Sequence, residues 1–462
     1  MDATVTSGDA AQGGPRTGGG MGHTHGVRPP RPQPTHSPGS SILMITVATL
    51  GAAYSANKGA ASMVQALLDN LPDRLGGPVR VIAVSTHPDG DRRSYAWAGL
   101  DVPVASQRPV AMATVHVPLA LLAGGLRVAR LPWRWVCRPA ALRALARADV
   151  VADLSGISFV DGRRFVVLVY NALVVTIPLL LGRPVVKCSQ AMGPFRSAAN
   201  RRLARLVLPR LAAVCPRGAA SERHLRELGL AANLVPATDL AFTMRVPDPV
   251  RERIRARLAA TAPGPYLVIA PSQVVDTACR RQGIDYPAMM AELVDAAAAQ
   301  TGHPVVMIAH SAQPDAGANH LNDLPLCREI YRRLAAPDRV VFFDEDLLPT
   351  ELRAVIAEGA LLVTSRFHAM ISALTERTPL LVIGWSHKYA EVLDPFGLAE
   401  LAIGYDDLTG AAAVLDRVQE LLKRGDELAG TIDRELPAAV VAAGANFHAL
   451  AAALPAGAGA SR

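Results

Sequence analysis

The chemistry in this chain gathers around the triplet Arg366-Phe367-His368. An apolar run of strand length, Ala360–Val363, precedes it. Thr364 and Ser365 suit a helix start, and helix formers follow. A second buried-type strand begins at Pro379. This order is a β-α-β unit, with Arg366 and His368 where strand gives way to helix. At the carboxyl end of a parallel sheet, such side chains face a crevice beside unpaired helix N–H groups. An arginine and a histidine there can hold an anion. In isolation the same pair also fits a capping arginine and a half-buried structural histidine.

Other loops share that placement at strand ends. Asn57-Lys58-Gly59 opens a helix, where glycine admits close backbone approach and the helix N-terminus favours an anion. A plain tight turn is the alternative. In the stretch Asp153 to Asp161, Ser155 and Gly156 suit a ligand-lining loop. Asp153 or Asp161 can orient a sugar hydroxyl or cap a helix. Gln190 and Gly193-Pro194 form a turn signal after a strand. Arg217, followed by Gly218, sits at a helix start as Arg366 does. One arginine from each half of the chain can clamp a doubly anionic ligand. Trp385-Ser-His387-Lys388 follows the Leu380 strand. Lysine occurs four times, leaving 47 − 4 = 43 arginines, and Lys58, Lys187 and Lys388 lie in or beside these loops. Either an ammonium is wanted there or so small a number fell there by chance.

The elements that must position these loops alternate strand and helix. Residues 1–40 are rich in Gly, Pro, Ser, Thr and His without apolar periodicity and read as a disordered tail. An N-terminal Rossmann-like domain is expected over 41–246, starting with the strand Ile42–Ala48. Residues 247–265, with four prolines and a charged helix, read as a linker. A second Rossmann-like domain is expected over 266–425, and helices with a tail over 426–462. The fold class is α/β, two doubly wound Rossmann-like domains facing across a cleft (GT-B-like). Phe165–Leu181, nearly all apolar, reads as a buried crossover helix rather than a short membrane span.

Half the residues are hydrophobic, enough for two cores. The net charge of +7 is spread as arginine along the chain, with no long basic run. That pattern suits anionic small molecules or a membrane surface and argues against a nucleic-acid partner. Five cysteines without a Cys-x-x-Cys spacing make a disulfide framework or a zinc site unexpected and fit a reducing compartment. No secretory signal is visible, so a cytoplasmic location is expected. One stretch, Leu126 to Arg138, interleaves Arg127, Arg130, Arg134 and Arg138 with Trp133 and Trp135. It suits either the headgroup region of anionic lipid, at the inner face of a membrane, or a solvated connector with packed tryptophans.

Taken in order, these segments resemble the polysaccharide pyruvyl transferase family. Asn57-Lys58-Gly59 is similar to the family's Asn-x-Gly-Asp, Ser155-Gly156-Ile-Ser158 to its glycine loop, and Gln190-Ala-Met-Gly193-Pro194-Phe195 to its Gln-x-x-Gly-Pro-Phe. Arg217-Gly-Ala-Ala-Ser221 is similar to Arg-Asp-x-x-Ser, Asp239-Leu-Ala-Phe242 to Asp-x-x-Phe, and Arg366-Phe-His368 to Arg-x-His. Lys388 falls where the family has a lysine, and His310 and Asp323 where it often has His and Asp. The resemblance spans about residues 42–425. No single motif is specific; the ordered set is. Two acids of the pattern are replaced, by Ala60 and Gly218, which leaves the general base unassigned.

The resemblance implies an enzyme that moves the enolpyruvyl unit of phosphoenolpyruvate onto a sugar of a cell-surface glycan or a lipid-linked sugar, forming a pyruvate ketal. It implies Arg217, Arg366 and His368 as catalytic residues. Asn57, Lys58, Gly59, Ser155, Gly156, Gln190, Gly193, His310 and Lys388 are implied as substrate-binding. No metal or cofactor is expected. Two other readings remain open: a GT-B-type glycosyltransferase using a nucleotide-sugar, which shares the architecture, and a non-catalytic glycan-binding relative, favoured by Ala60 and Gly218.

Overall fold

The computed structural model describes residues 44–313, 322–384, 388–408 and 410–456, with Lys388 described in its backbone alone. The expected tail over 1–40 lies outside the described residues, as do Trp385 and His387. Among the described residues, twelve strands form two parallel sheets. The first holds β1 (Ile45–Leu50), β2 (Val79–Ser85), β3 (Val104–Ser106), β4 (Val150–Asp153), β5 (Val185–Gln190) and β6 (Ala213–Pro216), in the order β3-β2-β1-β4-β5-β6. The second holds β7 (Tyr266–Ala270), β8 (Val305–Ile308), β9 (Val340–Phe343), β10 (Gly359–Thr364), β11 (Leu380–Gly384) and β12 (Ala402–Gly404), in the order β12-β11-β10-β7-β8-β9. Both orders are the doubly wound arrangement, with the first and fourth strands of each lobe side by side at the centre. Every residue of β4, β5 and β7 is buried. Helices on both faces require that, which is why these strands read as unbroken apolar runs.

The sequence reading misses β3 and β12. Each has three residues and lies at a sheet edge, so neither carries the long apolar run that betrays a central strand. The helix Phe165–Leu180 connects β4 to β5 as a crossover.

The segment expected as a linker is instead part of the second lobe's shell. Its helix, Asp248–Thr261, buries Ile254 and Leu258. At 100° per residue, those two share a stripe flanked by Arg251 and Arg255 on one side and by Arg253 and Arg257 on the other. The arginines pair with Glu376, Glu358, Glu351 and Glu345 of the second lobe. Such half-exposed pairs contribute little each, about 0–1 kcal/mol, but they fix the rotation of the helix.

The chain returns to the first lobe at its end. In the helix Gly425–Ala452, the buried Asn446 accepts from Ser189 N at 2.9 Å, and Ala439 O accepts from Thr238 Oγ1 at 2.8 Å. A second tie is Arg353, fully buried in the helix Pro349–Ala357. It donates to Met244 O at 2.6 Å and Ala241 O at 2.8 Å, in the segment where the chain leaves the first lobe. Burial lowers its pKa to about 10, so it keeps its charge at neutral pH.

Candidate active site

The two central strand pairs create two crevices. In the first lobe, Asn57, Lys58 and Gly59 follow β1 while Ser155 and Gly156 follow β4. In the second, Ser272 follows β7 while Arg366 and His368 follow β10. Doubly wound sheets bind ligands where neighbouring strands diverge in this way. The helices Lys58–Leu75 and Phe367–Glu376 begin at these points and touch there. A Cβ built on Gly59 would lie 2.1 Å from His368 Nδ1, so the imidazole rests directly on the Gly59 backbone. Asn57 caps its helix by accepting from Gly59 N at 2.8 Å. The glycine is thus needed for close approach, not for a special turn.

Asp239 joins the lobes. Its Oδ2 is 3.1 Å from Arg217 Nη1, in the first lobe, and 3.5 Å from His368 Nε2, in the second. Its Oδ1 accepts from Ala241 N at 2.9 Å. Burial alone would raise this carboxyl, but the His368 ring, the Arg217 guanidinium and the Ala241 N–H outweigh it and hold the group far below the ordinary carboxylate range. The Arg217 guanidinium also lies 4.4 Å over the Phe367 ring, a second contact across the lobes. His368 Nε2 is buried and faces the Asp239 carboxylate without an aligned hydrogen bond.

Arg366 is fixed by a different acid. Its Nε donates to Asp323 Oδ2 at 2.7 Å and its Nη2 donates to Asp323 Oδ1, a bidentate pair. Asp323 is fully buried and also accepts from Gln273 N at 2.9 Å. His310 lies buried among these cations. Burial and then the charges of His368, Arg366 and Lys58 push its pKa well below the ordinary histidine value, so its ring is neutral. Arg217 and His368 therefore meet at Asp239, while Arg366, the N-cap of the helix that carries His368, is held by Asp323, and buried His310 feels the charges of both His368 and Arg366.

Lys58 is buried and pairs with Asp346 Oδ1 at 2.6 Å. Its ammonium stands 5.9 Å from the Trp97 ring centroid. Trp97 and Asp346 line a cavity of about 610 Å³ between the lobes, together with Asp89, Arg93, Arg108 and Gln313.

Other predicted binding residues prove to build the lobe instead. Gln190 is fully buried. Its Nε2 donates to Asp153 O at 2.9 Å, and its Oε1 accepts from Ser158 Oγ at 2.5 Å and Lys187 Nζ at 3.0 Å. Both polar atoms of the buried Gln190 side chain are thus engaged within the lobe. Lys187 completes this network through Asp153 Oδ2 at 2.5 Å, so its ammonium is structural. Asp153 also accepts from Ser155 N at 3.0 Å and Ser155 Oγ at 2.5 Å, which uses that hydroxyl to shape the loop. Gly156, at φ +68°, needs glycine for its backbone. Gly193 packs on a helix: its Cβ would meet His224 Cβ at 2.6 Å. Asp161 accepts from Arg196 N at 2.6 Å and from Asn200 Nδ2 at 2.9 Å, and so acts as a cap rather than a sugar ligand. The Lys388 side chain lies outside the described residues.

Sequence reasoning left Asp239, Asp323, Asp346 and Trp97 out of the site. Asp239 and Asp323 stand in the motif pattern. Asp346 and Trp97 carry no local signal, since only the meeting of the lobes brings them to Lys58. Gly218, where the pattern has an acid, has φ +93° and ψ 168°, a region open essentially to glycine alone. The carboxylate near it comes from the second lobe: a Cβ there would lie 3.8 Å from Glu391 Oε2.

The fold is shared with sugar-nucleotide enzymes. The UDP-GlcNAc 2-epimerase of Neisseria meningitidis, solved with UDP-GlcNAc, matches with a TM-score of 0.55 at 11% identity, covering 88% of this chain and 98% of that one. The MnaA–UDP complex of S. aureus matches with a TM-score of 0.50 at 12% identity, covering 85% and 91%. At such identity the likeness shows the two-lobed, GT-B-like fold alone. No curated protein sequence matches the chain. The model of the polysaccharide pyruvyl transferase family matches residues 57–387, from the Asn57 helix cap to the loop after β11. That span holds both crevices and the Asp239 junction, and the chain belongs to the polysaccharide pyruvyl transferase family.

Proposed function

We propose that this protein transfers the enolpyruvyl unit of phosphoenolpyruvate to a sugar of a cell-surface glycan or glycolipid, closing a pyruvate ketal on two hydroxyls. The observation that supports it is the meeting of Arg217 and His368 at Asp239, with Arg366 at the start of the same helix as His368. Phosphoenolpyruvate carries a carboxylate and a phosphate, so its site needs fixed cations. Arg217 engages Asp239 through Nη1, and Arg366 engages Asp323 through Nε and Nη2. Each guanidinium keeps N–H groups for a ligand, while the carboxylates hold both planes in place before the ligand arrives.

In this reading His368 protonates the methylene carbon of the enol, leaving an oxocarbenium-like centre. One sugar hydroxyl adds to that centre, phosphate departs, and the second hydroxyl closes the ketal. Of the two hydroxyl protons, one restores His368 and one leaves with phosphate. Neutral His310 can hydrogen-bond the donor without adding charge. The cavity beside Trp97 suits the acceptor: the ring offers an apolar face, and Asp89, Arg93 and Arg108 offer hydroxyl partners.

The test is a thermal-shift and phosphate-release comparison of phosphoenolpyruvate with UDP-N-acetylglucosamine. Stabilisation by phosphoenolpyruvate, with phosphate release on adding a glycan acceptor, is expected. Stabilisation by the nucleotide-sugar alone would replace the reading with a glycosyltransferase. Binding of phosphoenolpyruvate without release on any acceptor would make the protein a non-catalytic relative.

Gly59→Ala gives a sharper check. The new methyl would overlap the His368 ring, and displacing a catalytic group by about 1 Å costs on the order of a hundredfold in rate. Turnover should fall by that order while the melting temperature stays near wild type. Unchanged turnover would remove His368 from the mechanism.

A further inference from the structure

We propose that the outer face of the helical segment Pro109–Val128, with the turn that follows it to Arg138, docks this protein flat on an anionic lipid surface. The inner face of this segment is packed on protein. Ala120, Ala123 and Gly124 are buried, and a Cβ on Gly124 would lie 3.2 Å from Leu180 O of the crossover helix. The outer face is equally apolar. Val110, Val115, Leu121, Leu122 and Val128 are exposed, Val128 at 78%. From Pro109 to Leu126, the one exposed side chain able to hydrogen-bond is Thr114, and its hydroxyl already donates to Val110 O at 2.9 Å. By length and composition the segment could cross a membrane. With one side held on the lobe, it lies in the interface plane instead.

The charges around this face select the partner. No Asp or Glu occurs between Asp101 and Asp149, while seven arginines do: Arg108, Arg127, Arg130, Arg134, Arg138, Arg143 and Arg147. Arg130, Arg134 and Arg138 are exposed, and none pairs with an acid among the described residues. Arginines elsewhere are widely paired, as along Asp248–Thr261. An apolar face rimmed by unpaired arginines matches acyl chains beneath anionic headgroups. Trp135 adds a rigid plate at the rim. It is 61% exposed, and its Nε1 donates to Pro132 O at 2.9 Å, which fixes the ring. Of the two tryptophans, Trp133 is the one that packs partly into the lobe.

Arg108, immediately before this segment, also lines the cavity beside Trp97. A sugar carried on a lipid would therefore meet its cavity at the edge of the docked face. That last step rests on the proposed function; the docking does not.

The test is co-sedimentation of the full chain with phosphatidylglycerol/phosphatidylcholine vesicles and with phosphatidylcholine alone. Two variants accompany it: Leu121→Glu/Leu122→Glu, and Arg130→Ser/Arg134→Ser/Arg138→Ser. Wild type should bind the anionic vesicles, and each variant should lose about tenfold or more in partitioning with an unchanged melting temperature. Equal sedimentation of all three proteins would overturn the proposal. So would a lipid-free dimer, seen by light scattering, that Leu121→Glu/Leu122→Glu dissolves, because a second copy would then cover the face. Resistance of membrane-bound protein to alkaline extraction would overturn it in favour of a span. Vesicle binding is read without turnover, so its failure is separate from any failure of the proposed activity.

Discussion

Arg366→Ala is expected to lower kcat/KM for phosphoenolpyruvate by about 2–4 kcal/mol, roughly 30- to 1000-fold. The loss should appear mainly in donor KM, because in the proposed reaction the guanidinium meets the donor before and during the chemistry. The variant also leaves Asp323 buried without its bidentate partner. Adding Asp323→Asn removes that orphaned charge, and should restore much of the lost stability and none of the lost activity. His368→Gln is the contrasting case. It removes the proposed acid but leaves the two arginines, so kcat should fall by about 10²–10⁴ with donor KM little changed. Steady-state kinetics and urea unfolding of the three variants separate these effects. If Arg366→Ala/Asp323→Asn recovered turnover as well as stability, Arg366 would be a structural arginine.

Lys187→Met is expected to destabilise the fold by about 3–5 kcal/mol, because it strands a charge in the interior. Lys187 and Asp153 are both fully buried, with Nζ and Oδ2 2.5 Å apart. Removing both charges, as Lys187→Met/Asp153→Asn, should be far milder than removing one, since no unpaired ion then remains. Urea unfolding midpoints give the comparison. Activity per folded molecule should stay near wild type, because the ammonium is enclosed by Asp153, Ser158 and Gln190. A stable but inactive Lys187→Met would instead place the lysine in the chemistry.

These two residues mark where local sequence misleads. Lys187 lies within β5 and Gln190 ends it, at the edge from which a doubly wound sheet presents ligands. Both turn inward, because β5 is buried along its whole length and its polar residues must find partners there. Lys58 opens the helix that follows β1. It also finds a carboxylate, but one that lies beside the cavity. Sequence spacing does not show which distant acid each lysine reaches, Asp346 for Lys58 and Asp153 for Lys187.

The sequence by itself determined the ten longer strands, the two doubly wound lobes and the family. Each follows from local patterns: apolar runs of strand length, glycine and helix-cap residues at strand ends, and an ordered set of motifs. It also marked Arg366 and His368, because a strand-to-helix junction fixes where such side chains point. Only the tertiary structure decided that Asp239 gathers Arg217 and His368 and that Asp323 fixes Arg366. It also decided that the expected linker belongs to the second lobe's shell. These contacts join residues 22 to 129 positions apart. Such pairings are set by how two lobes meet, through buried charges that must be matched, and no periodicity along the chain encodes them.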